Sequence, residues 1–345
     1  MIRIGTVLLI MILSILNGCS TDKEMTKPHH TKTGFRNLNP DFEDHGLTDV
    51  LKWVSGRWSR EHSIEPEDYP PFPIVSNDGK ALRENDKKLS VTWIGHATTL
   101  VQIDGINILT DPIWSDRCSP VSFAGPKRYT PPGLKLEDLP RIDIVILSHN
   151  HYDHTDLPTL KLLEEKHHPK FLAGLGNKSL LEGIGLSHVQ EMDWWDTVDL
   201  NGVQFVFTPT QHFSGRGISD KYETLWGSYA ILGKTQKVYF GGDTGYYTHF
   251  KEIGDKFGGF DVAILPIGAF EPRWFMSSVH VDPEQSVRAF ADLHAKYMVP
   301  MHYMTFVLSD EKLDSPVPLA RKAFENLKLA LDRLIDLKIG ESRFF

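Results

Sequence analysis

The sequence predicts an α/β fold in which two mixed β-sheets are flanked by helices. Short alternating strands joined by a tight turn occur early in the chain, and continuous apolar strands occur later. Helical segments lie between the later strands, so two sheets with helices outside would bury the apolar faces in layers. With 41% hydrophobic and 24% charged residues, the composition of the 345-residue chain is ordinary for a globular protein.

The strands are predicted from alternation, β-branched runs and turn residues. Residues 89–94 alternate, and Asp104-Gly105 between the next two strands is typical of a tight hairpin. The apolar, β-branched run 142–147 indicates a buried strand. The predicted strands are 89–94, 99–103, 106–110, 142–147, 171–173, 203–207, 228–232, 238–240, 262–266 and 297–301.

Four helices are predicted between and around these strands. One lies near 47–58, and an amphipathic one covers 157–165. A third begins at Asp282, where this N-cap residue is followed by a proline and by Gln285, which is placed for a capping box. The last is predicted over 319–337, with one apolar stripe formed by Leu327, Leu331, Leu334 and Ile335.

The first residues predict export and lipid attachment. Arg3 precedes an apolar stretch over 4–16, which is shorter than the roughly 20 residues of a membrane-spanning helix. Cys19 then follows in a sequence that resembles the bacterial lipoprotein box, whose cysteine carries the lipid. Ser20 after it favours the outer membrane, so the resemblance implies a membrane-anchored chain in the cell envelope that faces the periplasm. The alternative is an ordinary signal peptide with an accidental cysteine.

The chain is accordingly divided into four parts: 1–19 a signal peptide, 20–34 a flexible tether, 35–87 an N-terminal extension packed on the core, and 88–345 the main domain. His29 and His30 fall in the tether and are expected to be solvated. If Cys19 is lipidated, Cys118 has no intramolecular disulfide partner, and it is predicted to be a small packing residue. The formal net charge of −8 disfavours a nucleic-acid partner.

The strongest chemical pattern follows the strand 142–147. Within six residues the chain presents four side chains that can bind metal: His149, His151, Asp153 and His154. Three imidazoles and a carboxylate at this density would each need its own partner, unless a cation satisfies them together. Nitrogen and oxygen ligands of this kind suit zinc. The sequence therefore predicts a metal site after this strand.

The pattern resembles the H-x-H-x-D-H motif of the metallo-β-lactamase superfamily. The resemblance implies a four-layered αβ/βα sandwich of two mixed sheets, two zinc ions at one edge, and three further ligands that each end a strand. His212, Asp243 and His302 are the candidates for these ligands. By this resemblance, one zinc is held by His149, His151 and His212, the other is held by Asp153, His154 and His302, and Asp243 bridges them.

A closer resemblance is carried by longer strings of sequence. Residues 93–100, 109–114 and 267–276, followed by 280–284, are similar to the N-acyl-phosphatidylethanolamine phospholipase D family. The resemblance implies a hydrolase that uses water activated by two zinc ions to cleave a phospholipid into phosphatidic acid and an N-acylethanolamine. The lipoprotein-like start departs from the animal enzyme, which leaves the compartment and the physiological lipid open.

Further residues are assigned by their position near these motifs. Asp153 and Asp243 are expected to act in catalysis as ligands. His280 is expected to contact substrate or protonate the leaving group, with a structural histidine ahead of the capped helix as the alternative. His96 and Asp111 are expected to orient metal ligands, with ordinary turn and cap roles as the alternative. Arg273 and Trp274 either meet the phosphate and lipid or simply pack.

Other functions stay open at this point. Within the same fold the chain could be a lactonase, a β-lactamase or a phosphodiesterase of nucleotides or RNA, although its acidic balance disfavours RNA. A non-catalytic envelope lipoprotein that binds lipid is a further alternative, although all seven candidate ligand positions are intact. The sequence also leaves open a homodimer, and iron or manganese in place of one zinc.

Overall fold

The computed structural model describes residues 27–58, 71–86, 88–217 and 219–345. The predicted signal peptide and Cys19 lie outside this part of the chain. Within it, no helix has both the length and the apolar character needed to cross a membrane.

The strands follow the predicted bounds closely over most of the chain. Asp104 and Gly105 have φ angles of 52° and 81°, as the predicted hairpin requires, and glycine adopts this conformation without strain. The strands are β1 Ser90–Gly95, β2 Thr98–Ile103, β3 Ile106–Thr110, β4 Ile144–Ile146, β5 Lys170–Gly174, β6 Val189–Met192, β7 Thr197–Leu200, β8 Val203–Thr208, β9 Ser228–Leu232, β10 Lys237–Phe240, β11 Val262–Pro266, β12 Tyr297–Met301 and β13 Ser342–Phe344.

Among the described residues these strands form two mixed sheets. The seven-stranded sheet has the order β13-β1-β2-β3-β4-β5-β6, and the six-stranded sheet has the order β12-β11-β10-β9-β8-β7. Strands β3 to β6 pair in parallel, as do β10 to β12, whereas the remaining pairs are antiparallel. The carboxyl ends of the parallel strands in each sheet therefore share one edge.

Helices lie outside the two sheets. Their bounds are α1 Leu47–Trp58, α2 Lys80–Arg83, α3 Leu157–His167, α4 Lys178–Gly183, α5 His249–Phe257, α6 Arg273–Met276, α7 Pro283–Asp292 and α8 Pro316–Asn326. The predicted capping box is present at α7, where Asp282 accepts from Gln285 N and Gln285 accepts from Asp282 N. This reciprocal pairing fixes where the helix begins.

Strand β4 shows how the layers are built. Ile144 and Ile146 join the core cluster shared by both sheets, whereas Val145 points the other way and packs with Leu160 and Leu163 of α3. Successive strand residues face opposite sides, so one apolar strand fills two cores. Each side chain of this size contributes about 1.5–3 kcal/mol when it is fully buried. The predicted four-layered αβ/βα sandwich is confirmed.

The predicted terminal helix over 319–337 is wrong in its extent. Helix α8 spans Pro316–Asn326, and Lys328 then has a φ angle of 56°. Leu334 instead forms a parallel bridge with Met298 of β12, and Ile335 N donates to Met298 O at 2.8 Å. Pairing with the edge of the second sheet therefore overrides the helical pattern, and Leu334 is buried in its new place.

The prediction of a flexible, solvated tether is also wrong for residues 27–34, the part of it that the structure describes. His29 is only 3% exposed, and its Nε2 lies 2.6 Å from Asp193 Oδ1. His30 Nε2 lies 2.9 Å from Asp193 Oδ2, and Lys27 Nζ lies 3.0 Å from the same oxygen. His29 also stacks on Trp194 with a ring separation of 4.2 Å. This segment packs on the domain because the buried Asp193 carboxylate binds the ammonium group of Lys27 and the imidazoles of His29 and His30.

Candidate metal centre

The predicted ligands lie close together at the edge where the carboxyl ends of the parallel strands of both sheets meet. The loop 148–154 follows β4, His212 follows β8, Asp243 follows β10, and His302 follows β12. Two backbone hydrogen bonds join the sheets at this edge, from Gly227 N to Ser148 O at 2.9 Å and from His302 N to His96 O at 3.0 Å. The tertiary fold therefore brings together side chains from four separate strand ends.

The first cluster consists of three histidines. His149 Nε2 lies 2.8 Å from His151 Nδ1, which in turn lies 3.4 Å from His212 Nε2. A tetrahedral zinc with Zn–N bonds of about 2.05 Å requires nitrogens about 3.3 Å apart. Small shifts of the His151 ring would satisfy that spacing, so the three nitrogens suit one zinc.

The second cluster consists of His96, Asp153, His154 and His302, whose candidate ligand atoms all lie within 4.8 Å of one another. Asp153 Oδ2 is at their centre, 2.8 Å from His96 Nε2, 3.2 Å from His154 Nε2 and 3.4 Å from His302 Nε2. His96 was expected only to orient ligands. The structure places its Nε2 within hydrogen-bond distance of the Asp153 carboxylate, which fits that role.

Asp243 lies between the two clusters. Its Oδ2 is 3.1 Å from His154 Nε2 and 3.2 Å from His302 Nε2 on one side. On the other side it is 4.0 Å from His149 Nε2 and 3.9 Å from His212 Nε2. A single carboxylate oxygen therefore faces both groups of imidazoles, the position that a bridging ligand would take.

The backbone at this edge adopts strained conformations. Three non-glycine residues of the site have positive φ angles: His96 at 52°, Asp111 at 35° and His302 at 66°. Such conformations cost on the order of 1–3 kcal/mol each and concentrate at functional sites. Gly242 has a φ of 58°, and a Cβ there would lie 2.6 Å from the Ser148 Cβ. A glycine beside Asp243 thus allows the two ligand loops to touch.

Protonation differs sharply between the two clusters. Burial lowers the pKa of His151 to about 4 and that of His149 and His212 well below 6.5, so these rings are neutral at pH 7. Burial also opposes a charge on His302, but the carboxylates of Asp243 and Asp153 raise its pKa to about 9. The pKa of His154 is likewise raised against burial, by Asp243 and Asp153.

The pKa values of the carboxylates shift in the opposite direction. Burial opposes the charge of Asp243, yet His154 and His302 hold its pKa well below 3.8, and His154 does the same for Asp153. Without metal, the protons of the second cluster therefore compensate the buried negative charges. Divalent cations would take over that compensation, because buried charges need partners of opposite sign.

Buried polar atoms without hydrogen-bond partners support the same conclusion. Among the described residues, several buried atoms at this edge have no hydrogen-bond partner, including His154 Nε2, Asp243 Oδ1 and both ring nitrogens of His302. Leaving such groups unpaired costs about 1–3 kcal/mol each. Inward-facing nitrogens and carboxylate oxygens without partners form a donor set that fits zinc.

Asp111 contacts His154 of the second cluster on the side of the ring that faces away from the other candidate ligands. Its Oδ2 lies 2.7 Å from His154 Nδ1 and accepts from Ser148 Oγ at 2.6 Å, while its Oδ1 accepts from Ser148 N at 2.7 Å. This arrangement turns His154 Nε2 toward the site. Ser148 Oγ also lies 2.9 Å from His149 Nδ1, so Asp111 reaches the first cluster through the serine. The geometry agrees with the expected orienting role.

Replacing Asp111 by asparagine is expected to lower zinc affinity at the second site roughly ten- to a hundredfold, the range for groups that orient a ligand. The amide cannot accept from His154 and both Ser148 donors at once. Chelator competition would measure the affinity. The matched control is Asp143→Asn, whose Oδ2 accepts from Asn107 N at 3.0 Å and whose Oδ1 lies 3.7 Å from Arg141 Nε. Equal zinc affinities for the two variants would contradict the orienting role.

A cavity of about 640 Å³ opens over the clusters. His151, Asp153, Asp243, His280 and His302 line its floor. Its walls are largely apolar and include Leu47, Val50, Trp53, Phe213, Phe275, Met276 and Leu308, together with the charged side chains of Asp44 and Lys221. An amphiphilic molecule could place its polar group on the floor and its apolar part against these walls.

His280 reaches the floor of the cavity. Its Nδ1 lies 3.9 Å from Asp243 Oδ2 and is buried without a hydrogen-bond partner. Burial lowers its pKa to about 4, so the ring is neutral at pH 7. The structure therefore places His280 where the sequence analysis expected a substrate contact, and its role in proton transfer stays a prediction.

Arg273 and Trp274 do not line the cavity over the clusters. Arg273 donates to Gln285 Oε1 at 2.9 Å and to His280 O at 3.0 Å, which is the packing alternative. Trp274 is 40% exposed, with Lys52 Nζ 4.5 Å from its ring centre. Cys118 is buried with Ile113 and Phe306, and burial raises its pKa, as a packing residue requires.

Helix α1 and the turn before it also line the cavity, which the sequence alone did not indicate. His45 lines the cavity beside Phe275, with 5.1 Å between the two rings. Trp53 stacks on Phe275 at 5.2 Å. The aromatic residues of the extension were the only signal, and they did not indicate which face of the domain they would cover.

Comparisons with known proteins agree with this geometry. A family model described as the beta-lactamase superfamily domain matches residues 106–303. An uncharacterized protein of Mycobacterium tuberculosis is 40% identical over 295 residues, covering 84% of this chain and 78% of the relative. The N-acyl-phosphatidylethanolamine-hydrolyzing phospholipase D 1 of Caenorhabditis elegans is 37% identical over 307 residues, covering 83% and 85%.

The fold is shared with solved structures. A metallo hydrolase from the archaeon Ignicoccus hospitalis superposes with a TM-score of 0.56 at 24% identity, covering 75% of this chain and 99% of that protein. Sequence and fold thus lead to one assignment: the chain belongs to the beta-lactamase superfamily, as a metal-dependent hydrolase related to the N-acyl-phosphatidylethanolamine-hydrolyzing phospholipases D.

Proposed function

We propose that the chain is a binuclear zinc phosphodiesterase of the phospholipase D type, which hydrolyses N-acyl-phosphatidylethanolamine-like phospholipids. The observation that carries the proposal is the pair of ligand clusters joined by Asp243 beneath a cavity with apolar walls. The identity of 37% to the Caenorhabditis elegans phospholipase over 85% of that protein supports the choice of substrate.

His149, His151 and His212 would hold one zinc, and Asp153, His154 and His302 would hold the other. Asp243 would contribute to both. Two zinc ions bound there would supply Lewis acidity toward phosphate oxygens and would lower the pKa of water. No serine or cysteine nucleophile is required.

The cavity positions the lipid. Its apolar walls receive the acyl chains, while the floor receives the phosphate. Water adds to phosphorus, the bond between phosphorus and the head-group oxygen breaks, and a proton passes to the departing alcohol. His280 Nδ1, unpartnered and facing Asp243, is assigned to contact the reacting phosphate or the leaving oxygen. The products are phosphatidic acid and an N-acylethanolamine.

The proposal extends to location and partners. Lipid attachment at Cys19 would hold the chain at the outer membrane, facing the periplasm, beside a phospholipid substrate. More than one acyl chain is needed for stable anchoring. A homodimer is compatible with this placement, and no nucleic-acid partner is proposed.

The test is turnover of defined lipids by the zinc-loaded protein. Vesicles of N-acyl-phosphatidylethanolamine, phosphatidylethanolamine or phosphatidylcholine are incubated in ¹⁸O-labelled water, and the products are identified by mass spectrometry. The label is expected in phosphatidic acid and absent from the N-acylethanolamine, because water attacks phosphorus. Hydrolysis of a lactone, a β-lactam or a nucleotide diester with no lipid turnover would contradict the proposal and favour another hydrolase of the superfamily.

A further inference from the structure

The described N-terminal segment, residues 27–45, lies along the edge of the domain that carries the metal ligands. Phe35 N donates to Tyr222 O at 2.9 Å, and Tyr222 OH donates to Asp44 Oδ1 at 2.8 Å. Lys221 Nζ donates to His45 O at 3.0 Å. These bonds hold one end of the segment on the domain, and the contacts of His29 and His30 to Asp193 hold the other end.

Between these two ends, Asn37 forms hydrogen bonds with the backbone of His212, one of the candidate metal ligands. Its Nδ2 donates to His212 O at 2.7 Å, and its Oδ1 accepts from His212 N at 3.1 Å. The side-chain amide thus reproduces the two hydrogen bonds that a neighbouring strand would offer. His212 needs such a partner because β8 has already ended at Thr208.

The ring of His212 is held separately. Its Nδ1 lies 2.9 Å from Val279 O, which directs Nε2 toward His151. With the backbone fixed by Asn37 and the ring fixed by Val279, the position and direction of Nε2 are both determined. His212 is only 1% exposed, so a lost partner at its backbone would not readily be replaced by solvent.

The preceding residue is held by the same segment. Asn39 Nδ2 donates to Gln211 Oε1 at 2.8 Å, and Gln211 Nε2 donates to Ser278 O at 2.8 Å. Gln211 N donates to Thr244 Oγ1 at 3.1 Å, beside Asp243. The segment therefore connects to the loops that carry His212, Asp243 and His280.

We infer that Asn37 is a positioning residue for the first metal site and that the N-terminal segment completes this site. The inference rests on the proposed zinc centre but not on the choice of lipid. Asn37 touches neither metal-facing nitrogens nor the cavity floor, and it acts through the His212 backbone. Its loss would let His212 drift from the spacing that zinc requires, while the second site keeps its ligands.

The experiment measures zinc binding by the full chain, with zinc alone and no substrate. Asn37→Ala is compared with Asn77→Ala, a matched control in which the lost amide binds Gly340 O at 2.8 Å, away from the metals. Asn37→Ala is expected to weaken the first zinc site roughly ten- to a hundredfold, the range for groups that hold a ligand. The second site and both sites of Asn77→Ala are expected to keep the affinity of the unmodified chain.

Thermal unfolding of the zinc-free proteins separates positioning from general stability, because Asn77→Ala loses three amide hydrogen bonds whereas Asn37→Ala loses two. If Asn37→Ala does not fold, Asn37→Asp keeps an acceptor for His212 N and replaces the donor to His212 O by a carboxylate oxygen. Asn37 variants that bind both zinc ions as tightly as the unmodified chain would overturn the inference. A chain that binds two zinc ions without cleaving lipid would instead overturn only the proposed function.

Discussion

Replacing Asp243 by asparagine is expected to lower turnover at least about a thousandfold, the upper range for removing one electrostatic group from an active site. The carboxylate oxygen lies within 4.0 Å of nitrogens in both clusters, so one substitution weakens both metal sites. An amide keeps the shape but removes the negative charge. Turnover of the zinc-loaded variant and its zinc content per chain would measure the effect.

The control for this substitution is Asp255→Asn on α5. Asp255 is a surface carboxylate that pairs with Lys251 at 2.8 Å and with His294 at 2.9 Å. Exposed pairs of this kind contribute little to stability, so that variant should retain both zinc ions and normal turnover. Full activity with two zinc ions in Asp243→Asn would show that the bridging role is wrong.

Removing zinc with a chelator is expected to abolish turnover, and two equivalents of zinc are expected to restore it. The two sites should reload with different pH dependence. In the second cluster His302 has a pKa of about 9 and the pKa of His154 is raised, so zinc must displace protons at neutral pH. Its affinity should rise with pH, roughly tenfold per unit for each proton displaced.

The first cluster should show little such dependence near neutral pH. Its histidines have lowered pKa values, about 4 for His151, so their nitrogens are already free to bind metal. One zinc is therefore expected to bind tightly at pH 6, with the second following as the pH approaches 9. Chelator competition across this range, with His294→Gln as a control at a surface histidine that pairs with Asp255, would measure both affinities. Equal pH dependence at the two sites would contradict the assignment.

Much of the fold could be read from local pattern. The hairpin at Asp104-Gly105 and the capping box at Asp282 depend on residues close together in the chain, and both are present. Strands β6, β7 and β13 were missed. All three lie at sheet edges, and β7 alternates exposed with half-buried residues, so local apolar content gave little sign of them.

The candidate ligands could also be chosen from sequence, because the loop 148–154 is dense in imidazole and carboxylate. The distances between these side chains could not be predicted from the sequence. That Asp243 faces both clusters, and that Asp111 reaches His154 at 2.7 Å across 43 positions, depends on how two sheets meet at one edge. The same packing brings the carboxylates of Asp243 and Asp153 to His302, where they raise its pKa against burial, whereas burial lowers the pKa of His151.

The sequence by itself determined the order of the elements, the residue types at the strand ends and the superfamily they resemble, because these depend on neighbours in the chain. Only the tertiary structure decided that Leu334 leaves the terminal helix for β12, that His29 is buried against Asp193, and that Asn37 pairs with His212. Each of these contacts joins groups far apart along the chain. Their partners become available only when the layers have packed.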